Sequence, residues 1–261
     1  MPIANMSEKA VYDALLMAMF ALAPIVFMLL LFITAPYGRY SEGRAAAWGP
    51  SINIKVGWMI QGSPSVIAFA IFFALGKHAS NMLPLIFLAL WEMHYLQRTY
   101  VFPLLMRGTR RTLTLSLIAM AMLFYIINGY LNGRYLTQFS DGYSSGWLTD
   151  PRFVIGVIAF FTGMALNLHS DNILRNLRKP GEASYKIPRG GMFKFVSCGN
   201  YFGEIVQWCG WAIATWSLPG LCYCVWTAAN LVPRAISHHR WYLNRFPEYP
   251  KKRKALIPFI L

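Results

Sequence analysis

The sequence predicts an all-α polytopic membrane protein with seven transmembrane helices, organised as one domain over residues 1–261. Three features carry that expectation: apolar runs of bilayer length, a scarcity of charge, and the alternation of basic residues between loops. The hydrophobic share is 56%, only 13% of residues are charged and the mean hydropathy is +0.41, too little charge to cover a water-soluble globule.

A helix needs roughly 20 mainly apolar residues to cross the hydrocarbon core. Uncharged runs of about that size cover 14–35, 56–75, 112–132 and 153–170. The first is longer than a signal-peptide core and has no small-x-small cleavage site, so it is expected to stay as a helix. The second contains Gln61-Gly62-Ser63-Pro64-Ser65. Proline in a membrane helix frees carbonyl groups and bends the axis, so this stretch is expected to interrupt the span beside a cavity. A further span at 83–97 starts apolar and then carries Glu92 and His94. The stretch 195–233 holds a single charge, Glu204, and is long enough for two helices, with Leu218-Pro219-Gly220 as the break between them.

Lys and Arg favour the cytoplasmic side of short loops. With the N-terminus outside, three internal loops (residues 39–55, 98–111 and 175–194) and the tail from Arg234 hold twenty of the 24 basic residues, and the external side keeps Lys9, Lys77, Arg134 and Arg152. Losing one span would scramble that split, so it supports both the count and a cytoplasmic C-terminus, in a bacterial inner membrane or the endoplasmic reticulum. The net charge of +14 follows from this rule alone or also reflects an anionic ligand; nothing suggests nucleic acid. The segment 175–194, with Pro180-Gly181 and Gly190-Gly191, reads as an ordered loop. The tail after Pro233 is basic and aromatic and returns to an apolar end, 255–261, expected to dock on the bundle or the membrane surface.

Several chemistries are excluded. There is no G-x-G-x-x-G after a strand, no P-loop motif and no G-x-S-x-G. Cys198, Cys209, Cys222 and Cys224 form no C-x-x-C pair, and His94, His169, His238 and His239 lack repeated H-x-x-x-H spacing, so no metal is expected. Polar residues at membrane depth remain as candidates, because they are costly there. Asn167, Asp171, Arg175 and Arg178 recur at helical spacing and suit a nucleotide, with the amide and carboxylate for ribose or carboxamide and the arginines for phosphate; the alternative is a helix end of local ion pairs, Asp171–Arg175 above all. Gln61, Glu92 and Tyr95 form a second group, in which a phenol beside a carboxylate can polarise a carbonyl; alternatively Tyr95 belongs to the interfacial belt. Asn200, Glu204 and Trp208 share a third face.

These residues resemble the steroid 5α-reductase family. The likeness runs through Asn167-Leu168-His169-Ser170-Asp171, the loop Leu177-Arg178-Lys179-Pro180-Gly181-Glu182 with Tyr185, then Asn200-Tyr201-Phe202-Gly203-Glu204 and Ala214-Thr215-Trp216-Ser217-Leu218-Pro219. It ends on His238-His239-Arg240-Trp241-Tyr242 and on Arg253-Lys254-Ala255-Leu256-Ile257-Pro258-Phe259-Ile260. Upstream it is patchier, around Gln61 and His94-Tyr95.

The resemblance implies a seven-helix enzyme that takes NADPH from the cytoplasm and reduces the C4–C5 double bond of a 3-oxo-Δ4 steroid, an apolar enone drawn from the surrounding membrane lipids. It implies a cofactor site on Arg98, Asn167, Asp171, Arg178, Tyr185, Asn200, His238 and Tyr242, with Arg234 as an addition, mostly within residues from about 164 to 261. The N-terminal part would line the substrate cavity, where Tyr95 would donate to the 3-oxo oxygen with Gln61 nearby. Animal members carry Glu directly after that Gln, whereas this chain has Gly62; Glu92 or Glu204 is expected to serve instead. The rival expectations are an enoyl-thioester reductase, an isoprenylcysteine-type methyltransferase, and a non-enzymatic lipid-binding or transport protein.

Overall fold

The computed structural model describes residues 7–34, 40, 48–107, 112–177 and 184–261. It is mainly helical, and its long helices are α1 (Glu8–Phe32), α2 (Ile54–Ala74), α3 (Met82–Leu96), α4 (Leu115–Arg134), α5 (Pro151–Asn176), α6 (Gly199–Thr215) and α7 (Leu218–Arg245). Among the described residues, four helices are long and apolar enough to cross a membrane: α1, α2, α4 with its continuation to Phe139, and α5. Their outer faces expose large apolar side chains such as Met17, Ile25, Ile71 and Ile158, a surface suited to lipid and not to water.

Caps and breaks follow local chemistry. Ser7 caps α1 by accepting the Ala10 amide, and Asp150 caps α5 by accepting the Arg152 amide; hydrogen bonds from Arg152 hold the half-buried Asp150 carboxyl down to about 2. The break expected at Leu218-Pro219-Gly220 falls just before it. Trp216 takes a left-handed conformation (φ 44°) that ends α6, Ser217 caps α7 by accepting from Gly220, and Pro219 occupies the first turn, where a missing N–H costs nothing.

Two expectations about proline are corrected. Pro64 does not interrupt α2, which runs unbroken to Ala74; the Ser63 and Ser65 hydroxyls on either side of the ring donate to the Met59 and Gly62 carbonyls of the same helix. Pro233 does not begin a tail either, because α7 continues through it to Arg245. His238 and Tyr242 therefore lie on a helix.

Small residues bring the helices together. A Cβ on Gly203 of α6 would lie 2.5 Å from the Asn167 amide nitrogen of α5, and Gly156, Gly163 and Gly210 face the partner backbone in the same way. Gly129 and Gly133 of α4 play that part against Phe69 and Phe73 of α2. Such close approach gains dispersion and lets polar side chains of two helices interlock where the hydrophobic effect gives no drive. Between the helices lies an aromatic core that includes Phe69, Phe87, Trp91, Phe160, Trp208 and Trp211. A short antiparallel ribbon, β1 (Ser51–Asn53) with β2 (Thr112–Thr114), joins the starts of α2 and α4.

The apolar C-terminal end docks on the bundle. Lys254 bridges to Val196, the Ser197 and Cys198 amides donate to the Lys254 and Ala255 carbonyls, and Leu256 packs in a buried cluster with Cys198 and Ala235. Phe259 and Ile260 stay exposed.

Candidate active site

The chain leaves regular α geometry at Arg98, a cation that faces two carboxylates. α3 passes directly into a π-helical stretch, Gln97–Val101, and then a last turn, Phe102–Leu105. Single π turns inside α-helices reorient side chains and are frequent at functional sites. Arg98 lies in this turn, with its guanidinium over the rings of Phe102 and Trp58 at 4.4 and 5.3 Å. Behind it the turn packs on Gly62: a Cβ there would meet the Thr99 Oγ1 at 2.5 Å, so Thr99 would have to shift before position 62 could carry a side chain.

Arg98 joins two carboxylates. Its Nη1 donates to Asp171 Oδ2 at 2.7 Å and its Nη2 to Glu204 Oε2 at 3.4 Å. The Asn167 amide donates to the Asn200 carbonyl at 2.9 Å and to Glu204 Oε2 at 3.4 Å, and the Asn200 amide donates to Asp171 Oδ1 at 3.0 Å. Five expected site residues from α3, α5 and α6 thus form one polar cluster, positioned by the glycine contacts of α5 and α6. The expected local pair Asp171–Arg175 does not form, because Asp171 turns inward to Arg98 while Arg175 pairs with Asn172 one turn away.

A second group lies along α7. His238 faces the Tyr40 hydroxyl through Nδ1 at 2.9 Å and the Tyr201 hydroxyl through Nε2 at 3.3 Å, and Arg234 Nε donates to the Tyr201 hydroxyl at 3.2 Å. Tyr201 adjoins Asn200, so the two groups are neighbours along α6. Tyr185 packs edge-on against Trp241, and Tyr242 is buried in a stack on Tyr249, 5.1 Å between centroids. Arg178 lies outside the described residues.

Tyr95 heads the aromatic core. It is 2% exposed, walled by Trp91, His94, Tyr125 and Trp208, so it is not an interfacial residue. Among the described residues no hydrogen bond joins Gln61, Glu92 and Tyr95 to one another. The Tyr95 hydroxyl hydrogen-bonds the Tyr223 hydroxyl of α7, whereas Glu92 Oε1 is buried with no hydrogen-bond partner among the described residues and Gln61 is half-buried on α2. Glu204 serves Arg98 and Asn167. Sequence reasoning missed Tyr223, Tyr201 and Tyr40; for Tyr223 a signal existed, a phenol within an apolar run at membrane depth.

The family profile described as 3-oxo-5-alpha-steroid 4-dehydrogenase matches residues 111–261. The chain is 45% identical over 260 residues to a mouse protein named 3-oxo-5-alpha-steroid 4-dehydrogenase 1, covering 98% of this chain and 100% of that one. It is 44% identical over 235 residues to the human protein of the same name, covering 86% and 85%, and 38% identical over 262 residues to Arabidopsis steroid 5-alpha-reductase DET2, covering 98% and 99%.

Proposed function

Because the chain belongs to the 3-oxo-5-alpha-steroid 4-dehydrogenase family, we propose that it is an NADPH-dependent reductase of the C4–C5 double bond of 3-oxo-Δ4 steroids. One observation carries the reading at residue level. Tyr95 near the end of α3 and Arg98 in the π-helical stretch that continues it lie one turn apart, so a dry phenol among aromatic rings adjoins a charged and amide-rich cluster.

The donor set of that cluster fits a dinucleotide. Asn167, Asn200 and Asp171 offer amide and carboxylate groups for carboxamide and ribose hydroxyls, and Arg98, with five N–H donors of which two are engaged by Asp171 and Glu204, retains capacity for a phosphate. His238, Arg234, Tyr185 and Tyr242 extend the set along α7 and its neighbouring loop, and Arg178 precedes Tyr185 in that loop's sequence. Bound there, NADPH supplies the hydride that the β-carbon of the enone accepts.

The chain's own part is to bind, to exclude water and to stabilise charge. Hydride at the β-carbon puts negative charge on the 3-oxo oxygen, to which the Tyr95 hydroxyl donates, and a proton taken up at the α-carbon converts that enolate to the saturated ketone. In a site walled by Trp91 and Trp208 that hydrogen bond is stronger than in water. The asymmetry also fits two access routes, an apolar substrate from the bilayer and a charged cofactor from the basic side. We read the chain as crossing the membrane seven times with its C-terminus in the cytoplasm, the spans beyond the four apolar ones being α3 with its extension to Leu105, α6 and the first half of α7. Membrane lipids are its solvent and its source of substrate.

The test is product analysis by mass spectrometry on the purified protein in detergent with testosterone, progesterone and a long-chain trans-2-enoyl-CoA, each with NADPH. The expected product gains two mass units on the steroids, with deuterium at C5 when the transferable hydrogen of the cofactor is deuterium. Reduction of the enoyl-CoA alone would favour the enoyl-thioester reading.

A further inference from the structure

We propose that Tyr223 is the positioning residue of Tyr95: its hydroxyl donates to the Tyr95 oxygen and so turns the Tyr95 proton toward the substrate oxygen. This rests on the reading of Tyr95 as the donor to the enone.

The two phenols come from α3 and α7 and are 2% and 4% exposed. Their common wall is aromatic: Trp91 lies 5.0 Å from Tyr95 and 5.3 Å from Tyr223, Trp208 packs edge-on to Tyr223 at 4.5 Å and lies 5.7 Å from Tyr95, and Phe124 stacks on Tyr223. A hydroxyl buried in such a place is costly without a hydrogen bond, and these two satisfy each other. Each phenol has one proton and two lone pairs, so one member of the pair donates and the other keeps its proton for a third group. Only the arrangement with Tyr223 as donor leaves the Tyr95 proton for a ketone.

The identity of the neighbour matters. A carboxylate beside Tyr95 would accept its proton and compete with the substrate, and both nearby candidates are placed otherwise: Glu204 is held by Arg98 and Asn167, and Glu92 makes no hydrogen bond to Tyr95. A second phenol does the reverse. By donating to the Tyr95 oxygen it polarises the Tyr95 O–H, and linked hydrogen bonds strengthen one another at low dielectric. As charge grows on the substrate oxygen, part of it spreads through Tyr95 to Tyr223.

The experiment is a double-mutant cycle with progesterone and NADPH. Tyr95→Phe, Tyr223→Phe and the double variant each remove oxygen atoms and keep the rings, and thermal melting confirms that all three fold. Tyr223→Phe is expected to lower kcat about three- to tenfold, the worth of one hydrogen bond, with the dissociation constant for NADPH unchanged. Tyr95→Phe is expected to lower kcat about 10²–10³-fold, and Tyr223→Phe to add nothing in that background, since a residue acting through Tyr95 has no effect once the Tyr95 hydroxyl is gone. A Tyr95→Phe enzyme within a few-fold of wild type would overturn the reading of the site and this inference with it. A strongly impaired Tyr95→Phe beside a Tyr223→Phe enzyme within twofold of wild type, or losses that multiply in the double variant, would overturn the positioning role alone.

Discussion

Arg98 and Asp171 meet across 73 positions of the chain, Nη1 to Oδ2 at 2.7 Å, and both side chains are largely withdrawn from solvent. Breaking a buried pair from one side leaves an uncompensated charge. The pair therefore fixes the π turn of α3 to α5 and holds a carboxylate where the Asn200 amide also reaches it.

Asp171→Ala is expected to raise the dissociation constant for NADPH, with turnover recovering in part at saturating cofactor, because the proposed function assigns the residue to the cofactor and not to the enone. Steady-state kinetics over a range of NADPH concentrations measure this. A fall in kcat that saturation does not relieve would assign Asp171 to the chemical step.

Gly203→Ala is expected to weaken NADPH binding far more than an added methyl group suggests. The new Cβ would lie 2.5 Å from the Asn167 nitrogen, and backbone cannot yield as a side-chain end can, so α5 and α6 must separate. Overpacking of this kind costs about 1–3 kcal/mol, and here it falls beside Glu204 and Asn167. Cofactor titration and thermal melting of the same preparation should both report the loss.

Arg134→Lys is expected to lower stability while leaving NADPH affinity unchanged. Arg134 is buried and donates through Nε and Nη2 to the two Glu8 oxygens, each at 2.8 Å, and through Nη1 to the Leu75 carbonyl at 2.8 Å, tying α1, α2 and α4 together. An ammonium cannot reproduce that fork, and an unmatched buried hydrogen-bonding group costs about 1–3 kcal/mol. A melting temperature equal to that of wild type would show the fork to be dispensable.

Arg178→Ala is expected to raise the dissociation constant for NADPH with a smaller effect on NADH, since a guanidinium suits the 2′-phosphate that only the former carries. Parallel titrations with the two cofactors decide it, and equal weakening would remove this arginine from 2′-phosphate recognition.

The sequence by itself determined which residues could carry chemistry and which helices carry the four clear apolar spans. Hydropathy records lipid exposure directly, so α1, α2, α4 and α5 stand where uncharged runs lie. Polar residues in or beside such runs are costly enough to be candidates for function, which makes Asn167, Asp171, Asn200, Glu204 and Tyr95 candidates on sequence alone. The partners of those residues belong to the tertiary structure. Arg98 and Tyr223 reach their partners from helices distant in sequence, and no periodicity within one helix encodes which face another helix will meet. The glycines that set that meeting were present in the sequence, Gly156 and Gly163 opposite Gly203 and Gly210, but a small residue acquires its meaning only from the backbone that approaches it. For the same reason Pro64 and Pro233 read as interruptions, whereas α2 and α7 run through them, packed against α4 and against α1 and α6. Tyr95 was legible as a phenol in an apolar run, and packing alone gave it another phenol in place of a carboxylate.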